Sequence, residues 1–141
     1  MTGPPVLRPI LLLYAVGVAA ITVVPYRLRP SPWPRTEPWW AVIQWVPFQV
    51  PVWSFALNVL LFVPLGILVP LLWARLATAG RIALVGFGVS AAVELTQLAL
   101  WVSLGNRRTV DINDLIANTA GAVLGLVLLR LMTYRRSQAR M

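Results

Sequence analysis

A chain of 141 residues, 59% hydrophobic and only 11% charged, is too apolar for an ordinary water-soluble domain. The absence of cysteine and histidine excludes a disulfide framework, a thiolate nucleophile and a Ser-His-Asp triad, and it disfavours the common zinc sites. A net charge of +8 would suggest a nucleic-acid partner in a soluble protein, but these arginines lie in short connections and in the tail, so we expect none.

Four apolar stretches predict an all-α integral membrane fold, in a single domain over residues 1–141. A helix of about twenty apolar residues crosses a bilayer, which makes each stretch a candidate transmembrane helix. The predicted spans cover residues 9–25, 51–73, 82–104 and 111–132. Because a short turn joins the second and third spans, we expect them to be antiparallel neighbours.

The longest predicted connection, residues 26–50 between the first and second spans, is rich in proline and tryptophan. The prolines argue against a regular helix up to Pro38, whereas residues 39–45 favour a short helix in the headgroup region. We therefore predict an interfacial loop. Its tryptophans either anchor the loop as an aromatic belt or form a lid that contacts a substrate.

Glu94 lies near the middle of the third predicted span. An ionisable group at that depth costs roughly 2.5–3.5 kcal/mol, so Glu94 needs a partner. Gln97 lies on the same helical face, and Asn58 in the second span needs a hydrogen-bond partner for the same reason. Glu94 is either a strut that joins Asn58, Gln97 and Asn118, or a general acid or base, or the buried anchor of a substrate cavity.

Asp111, Asp114 and Asn118 share one face of the fourth predicted span. If Asp111 is the N-cap, Asp114 takes the third helical position, where a carboxylate favours the positive end of the helix dipole. The alternative is an oxygen-rich site for a hard cation such as magnesium, or for donors on a sugar or peptide. Arg108 either marks the membrane boundary, or pairs with Glu94, or grips a phosphate.

Glycines predict a close helix contact. Gly121 and Gly125 continue the face of Asp114 and Asn118 at a four-residue spacing, and Gly66 lies in the second span. Small residues at such a spacing let another helix approach closely in a membrane. The contact is formed either within the chain or, if the protein is a membrane scaffold, with an assembly partner.

The arginines favour one orientation in the membrane. With four spans, seven arginines lie on the side of the two termini and five on the other side. Positive charge prefers the cytoplasm, so we expect both termini to be cytoplasmic. In that orientation the polar residues of the spans and six of the seven tryptophans lie towards the outer leaflet.

Three separated blocks of the sequence resemble the VanZ-like family. They are NVLLFVPLG at 58–66, E-x-x-Q at 94–97, and R-x-x-D-x-x-D-x-x-x-N-x-x-G-x-x-x-G from Arg108 to Gly125. Val46-Pro47-Phe48 also resembles the approach to the second span in that family. The family is bacterial and integral to the membrane, and it is named after an accessory protein of glycopeptide-resistance clusters. The resemblance therefore implies a multi-pass protein of the bacterial cytoplasmic membrane.

The expected partners are envelope lipids, lipid-linked cell-wall precursors or lipoglycopeptides such as teicoplanin. Asn58, Gln97, Arg108 and Asn118 are candidates for substrate binding. The first alternative is a membrane enzyme that acts on a polyprenyl- or phospholipid-linked substrate, with Glu94, Asp111 and Asp114 supplying acid-base or metal-assisted chemistry. The second is the scaffold. The sequence does not determine whether the protein is catalytic, nor its cofactor, metal or oligomeric state.

Overall fold

The computed structural model describes residues 4–23, 38, 40, 43–104 and 110–139. Within these ranges the chain forms four helices: α1 (Leu7–Val23), α2 (Val52–Leu72), α3 (Ala79–Leu104) and α4 (Ile112–Gln138). A short 3-10 helix, Ala74–Leu76, connects α2 to α3. Two strands of two residues each, β1 (Ile43–Gln44) and β2 (Val110–Asp111), precede α2 and α4. The helices therefore follow the four predicted spans in order.

Three of these helices, α2, α3 and α4, are long and apolar enough to cross a membrane. Helix α1 is also apolar, but with 17 residues it is shorter. Helix α4 continues past the predicted end of its span to Gln138 and carries Arg135 and Arg136 in its last turn. Cations at that end are favoured by the helix dipole, which is one reason why the helix outlasts its apolar stretch.

Helices α2 and α4 form the largest interface of the fold and run parallel to each other. Gly121 lies against the backbone of Val59, and Gly125 lies against that of Val63. The later residue of α4 thus contacts the later residue of α2, so the two helices run in the same direction. Helix α3 runs in the opposite direction, since Gly86 faces Ala122 while Glu94 reaches Asp111.

Close packing between α2 and α4 depends on three glycines. A Cβ atom added to Gly66 would overlap the carbonyl oxygen of Ala122, and one added to Gly121 or Gly125 would overlap a carbonyl oxygen of α2. All three are buried. The glycines that suggested a helix contact therefore face helices of the same chain, and a scaffold contact through Gly121 and Gly125 would have to displace α2.

The segment before α2 differs from the expected short interfacial helix. Ile43 and Gln44 are extended, and β1 pairs in parallel with β2 in the register Ile43 to Val110 and Gln44 to Asp111. This pairing satisfies backbone groups that a helix over residues 39–45 would satisfy locally. Residues 24–37, 39 and 41–42, which make up most of the predicted loop, lie outside the described residues.

The apolar core lies where α2, α3 and α4 meet. Its buried side chains are Phe62, Leu65, Val69, Ile82, Ala122 and Leu126. Leu11 and Tyr14 of α1 pack against this cluster from outside. Large leucines such as Leu60, Leu84 and Leu95 are mostly exposed, as expected for helix faces in contact with lipid.

Tyr14 fastens α1 to α2. Its hydroxyl donates a hydrogen bond of 2.8 Å to the carbonyl oxygen of Leu61. We expect Tyr14→Phe to lower the free energy of unfolding by about 1 kcal/mol, because the ring is kept and only this bond is lost. Unfolding of the purified protein by titration with SDS measures the change. The matched control is Tyr134→Phe, which alters an exposed tyrosine of α4; equal changes in both variants would contradict the role of Tyr14.

Candidate functional site

A cluster of polar side chains lies at the N-terminal end of α4, between α2 and α3. Its members are Asn58 of α2, Ser90 and Glu94 of α3, and Asp111, Asn113, Asp114 and Asn118 at the start of α4. All except Asn58 and Asp114, which are half-buried, are buried. Because buried polar groups are costly unless they are hydrogen-bonded, the pairing within this polar cluster decides what it can do.

Asp111 is the N-cap of α4. Its backbone is extended, with φ −124° and ψ 122°, and its side chain accepts a hydrogen bond of 2.8 Å from the backbone N–H of Asn113. Helix α4 begins at Ile112, so Asp114 occupies the third helical position. The structure therefore confirms the capping interpretation of Asp111, and it assigns this carboxylate a structural task.

Glu94 reaches the same helix end from α3. Its Oε2 atom accepts a hydrogen bond of 3.1 Å from the backbone N–H of Asp111, and the residue is only 3% exposed. A helix N-terminus offers both free N–H donors and a partial positive charge, which favour a carboxylate. This contact explains how an acidic residue is accommodated in the middle of an apolar helix.

The amides of Asn58 and Asn118 do not bind Glu94, in contrast to the predicted strut. Asn58 donates through Nδ2 to Oδ1 of Asp114. Asn118 donates to Oγ of Ser90 at 2.9 Å. The three helices are thus joined through Asn58–Asp114, Asn118–Ser90 and Glu94–Asp111, and Asp114 accepts the hydrogen bond from Asn58.

Asn113 is a central residue of the polar cluster that the sequence pattern did not predict. It is 1% exposed. Its Nδ2 donates to Oδ1 of Asp111 at 2.7 Å and to the carbonyl oxygen of Val46 at 3.4 Å, while its Oδ1 accepts from the backbone N–H of Phe48 at 2.5 Å. Asn113 therefore holds the chain segment before α2 against the start of α4. The available signal was a third polar residue between two aspartates.

Phe48 has an unusual backbone conformation. Its φ of 63° lies in the left-handed region, which a bulky residue rarely adopts and which costs about 1–3 kcal/mol. The hydrogen bond from its N–H to Asn113 holds it there. The residue is 73% exposed, and the centroid of its ring lies 6.2 Å from that of the Phe55 ring. With the exposed rings of Trp45 and Trp53, Phe48 forms what we call the aromatic rim.

One buried acceptor of the polar cluster has no partner. Oδ1 of Asn118 accepts no hydrogen bond, although the residue is 4% exposed and its Nδ2 is paired. The neighbouring Ser90 hydroxyl is already engaged, because it donates to the carbonyl oxygen of Asp114 at 3.4 Å. A buried acceptor left open costs about 1–3 kcal/mol, so a hydroxyl or N–H donor placed there would be stabilised.

The geometry gives little support to the hard-cation interpretation. Oδ1 of Asp111 accepts two bonds from Asn113, and Oδ1 of Asp114 accepts one from Asn58. Within residues 4–23, 43–100 and 110–139, no three acidic side chains converge as a metal would require. The cluster is better suited to accept hydrogen bonds from a polar organic group.

The structure brings most of the predicted site residues together. Glu94, Asp111, Asp114, Asn58 and Asn118 all belong to the polar cluster through the bonds described above. Gln97 is buried on α3 about one turn after Glu94. Arg108, the remaining candidate, lies outside the described residues.

Comparison with known proteins identifies the family. No curated protein and no solved structure matches the chain. The family described as VanZ/LLP1 matches over residues 11–133, a range that contains the core and the whole polar cluster. This range covers most of the sequence, and it agrees with the resemblance carried by the three sequence blocks. The chain therefore belongs to the VanZ/LLP1 family.

Proposed function

We propose that this protein acts in the bacterial envelope by binding an amphiphile whose head contains sugar or peptide groups. Lipid-linked cell-wall precursors and lipoglycopeptides such as teicoplanin belong to this class. The observation that carries the proposal is the buried polar cluster with its open acceptor, tied directly to an exposed aromatic segment by Asn113. One end of the fold thus brings buried polar acceptors next to exposed aromatic side chains, the two kinds of group that an amphiphile needs.

The polar head would bind at the cluster. Oδ1 of Asn118 is an open acceptor, and the carboxyl groups of Glu94 and Asp114 belong to the same cluster. Sugar hydroxyls and peptide N–H groups are donors that match these acceptors. A hydrogen bond to a charged group contributes about 1.5–3 kcal/mol, so the carboxylates would supply much of the selectivity for such a head.

The apolar tail would lie along the aromatic rim. Trp45, Phe48 and Trp53 are exposed beside the start of α2, where a membrane-crossing helix enters the bilayer. Aromatic rings of this kind prefer the interface between headgroups and acyl chains. A ligand whose tail stays in the bilayer would therefore meet the rim while its head reaches the cluster.

The orientation proposed from the arginines adds to this function. With both termini in the cytoplasm, the polar cluster and the aromatic rim open towards the outer leaflet. Wall precursors and lipoglycopeptides are encountered on that side. Reporter fusions that place the segment 43–50 in the cytoplasm would contradict this part of the proposal.

Glu94→Gln tests the proposal. The glutamine oxygen can still accept from the N–H of Asp111, but the charge offered to a ligand is lost. We expect the affinity for a lipoglycopeptide to fall by about tenfold or more. In a teicoplanin-sensitive Gram-positive host, wild type should protect at a membrane abundance at which Glu94→Gln does not. Binding to the purified protein in lipid nanodiscs gives the affinity directly.

Thr96→Ala is the matched control. Thr96 is exposed on the same helix and its hydroxyl donates to the carbonyl oxygen of Ala92 one turn earlier, so its replacement should leave protection unchanged. Full protection by Glu94→Gln would remove the carboxylate from the proposed site. Equal binding of the same glycopeptide with and without its acyl chain would contradict the role of the aromatic rim. Failure of wild type both to protect and to bind would exclude lipoglycopeptides.

A further inference from the structure

The end of the fold opposite the polar cluster carries exposed arginines around the connection between α2 and α3. Arg75 lies in the 3-10 helix, Arg81 near the start of α3 and Arg130 in the last third of α4. By helical rise Arg130 is roughly 24 Å from Asp114, so the acidic residues of the polar cluster do not neutralise this end. The described part of the chain places only positive charge here.

Two of these guanidinium groups converge on one short piece of backbone. Arg81 donates through Nη1 to the carbonyl oxygen of Arg75, and Arg130 donates through Nη2 to that of Ala77 at 2.7 Å. We call this group the arginine turn: residues 75–77 together with Arg81 and Arg130. The two hydrogen bonds hold the two guanidinium groups at carbonyl oxygens that are two residues apart in the chain. Arginines without such bonds could move apart and reduce their mutual repulsion.

A neighbouring anion would stabilise this arrangement. Like charges held close together repel each other, and a guanidinium has five N–H donors, of which each of these two uses one on the backbone. The remaining donors form planar forks that suit phosphate oxygens. Trp73, partly exposed just before the turn, is a residue type typical of the headgroup level.

We propose that the arginine turn binds the phosphate of an anionic phospholipid from the surrounding bilayer. A lipid is favoured over soluble phosphate because the turn joins two helices of membrane-crossing length, which places it among headgroups. Exposed apolar side chains near it, including Leu71 and Leu131, offer contacts to acyl chains that free phosphate lacks. The site is separate from the polar cluster and does not rest on its proposed function.

The experiment compares two pairs of substitutions that remove the same charge. Arg81→Gln with Arg130→Gln removes the converging cations, whereas Arg135→Gln with Arg136→Gln removes two from the last turn of α4. Binding of phosphatidylglycerol to the full chain, measured by native mass spectrometry against a phosphatidylcholine background, should weaken about tenfold in the first pair. The second pair should weaken it less than about twofold.

Equal losses in the two pairs would overturn the proposal, since binding would then follow net charge alone. Stabilisation of the detergent-solubilised protein by inorganic phosphate as strong as that by phosphatidylglycerol would also overturn the assignment to a lipid. Unfolding in phosphatidylcholine alone checks that the first pair still folds. If the first pair does not fold, Arg130→Lys is used instead, because lysine keeps the charge but lacks the planar guanidinium. We expect the affinity for phosphatidylglycerol to fall about threefold in this variant, and unchanged affinity would contradict binding at the arginine turn.

Discussion

Gly121→Leu is expected to destabilise the fold by more than about 3 kcal/mol, the largest effect of any substitution considered for this chain. Even a Cβ atom at Gly121 would overlap the carbonyl oxygen of Val59, so the added side chain has to push α4 away from α2. That movement would also separate Gly125 from Val63 and Asn58 from Asp114. The measurement is the free energy of unfolding in SDS, together with the fraction of protein that elutes as a folded species.

Gly88→Leu is the control for this effect. Gly88 is exposed in α3, and a Cβ atom there would meet nothing within 4 Å. Both substitutions gain the same helix propensity of about 0.8–1 kcal/mol, so the difference between them isolates the contact with α2. A Gly121→Leu protein as stable as Gly88→Leu would show that α2 and α4 do not approach each other as closely as described.

Asn113→Leu is expected to release the segment around Phe48 from the start of α4. Leucine is similar in size but has no polar atoms, so the N–H of Phe48 and the carbonyl of Val46 lose their partner. Each such group costs about 1–3 kcal/mol when it stays buried and unpaired. A local loss of about 2 kcal/mol would speed hydrogen exchange at the Phe48 amide by roughly thirtyfold.

Gln44→Ala tests whether any weakening of the same segment has this effect. Gln44 donates from its side chain to the carbonyl oxygen of Gln49 at 3.2 Å, but it does so at an exposed position. We expect its replacement to change exchange at Phe48 by less than about threefold. Similar acceleration by both variants would mean that Asn113 is not the residue that holds the segment.

The helices could be predicted from the sequence because each one follows from a continuous apolar stretch of neighbouring residues. The same holds for the N-cap at Asp111, which depends on residues only two positions apart. The parallel pairing of β1 with β2 could not be predicted. Strands of two residues show no periodicity, and their partners lie far apart in the chain.

The composition of the polar cluster was more predictable than its pairing. Residues with helical spacing share a face, which brought Asp111, Asp114 and Asn118 together on α4. That reasoning does not include Asn113, because a residue two positions after the N-cap lies on a different face of the helix. Asn113 joins the cluster because the segment before α2 packs against it. The choice of Asp114 over Glu94 as the partner of Asn58 depends on the rotation and register of α2 against α4, which spacing along one helix does not determine.

The parallel contact between α2 and α4 also sets an order for assembly during synthesis. Asn58 must wait for a partner 56 residues further along the chain, which at about 5–20 residues per second means a delay of several seconds. Meanwhile α2 and α3 can enter the membrane, but α2 still presents an unpaired amide and the bare backbone at Gly66 to lipid. Arrival of α4 covers both at once. A chain that ends before α4 therefore leaves Asn58 without the acceptor it has in the complete fold and Gly66 without the backbone that covers it.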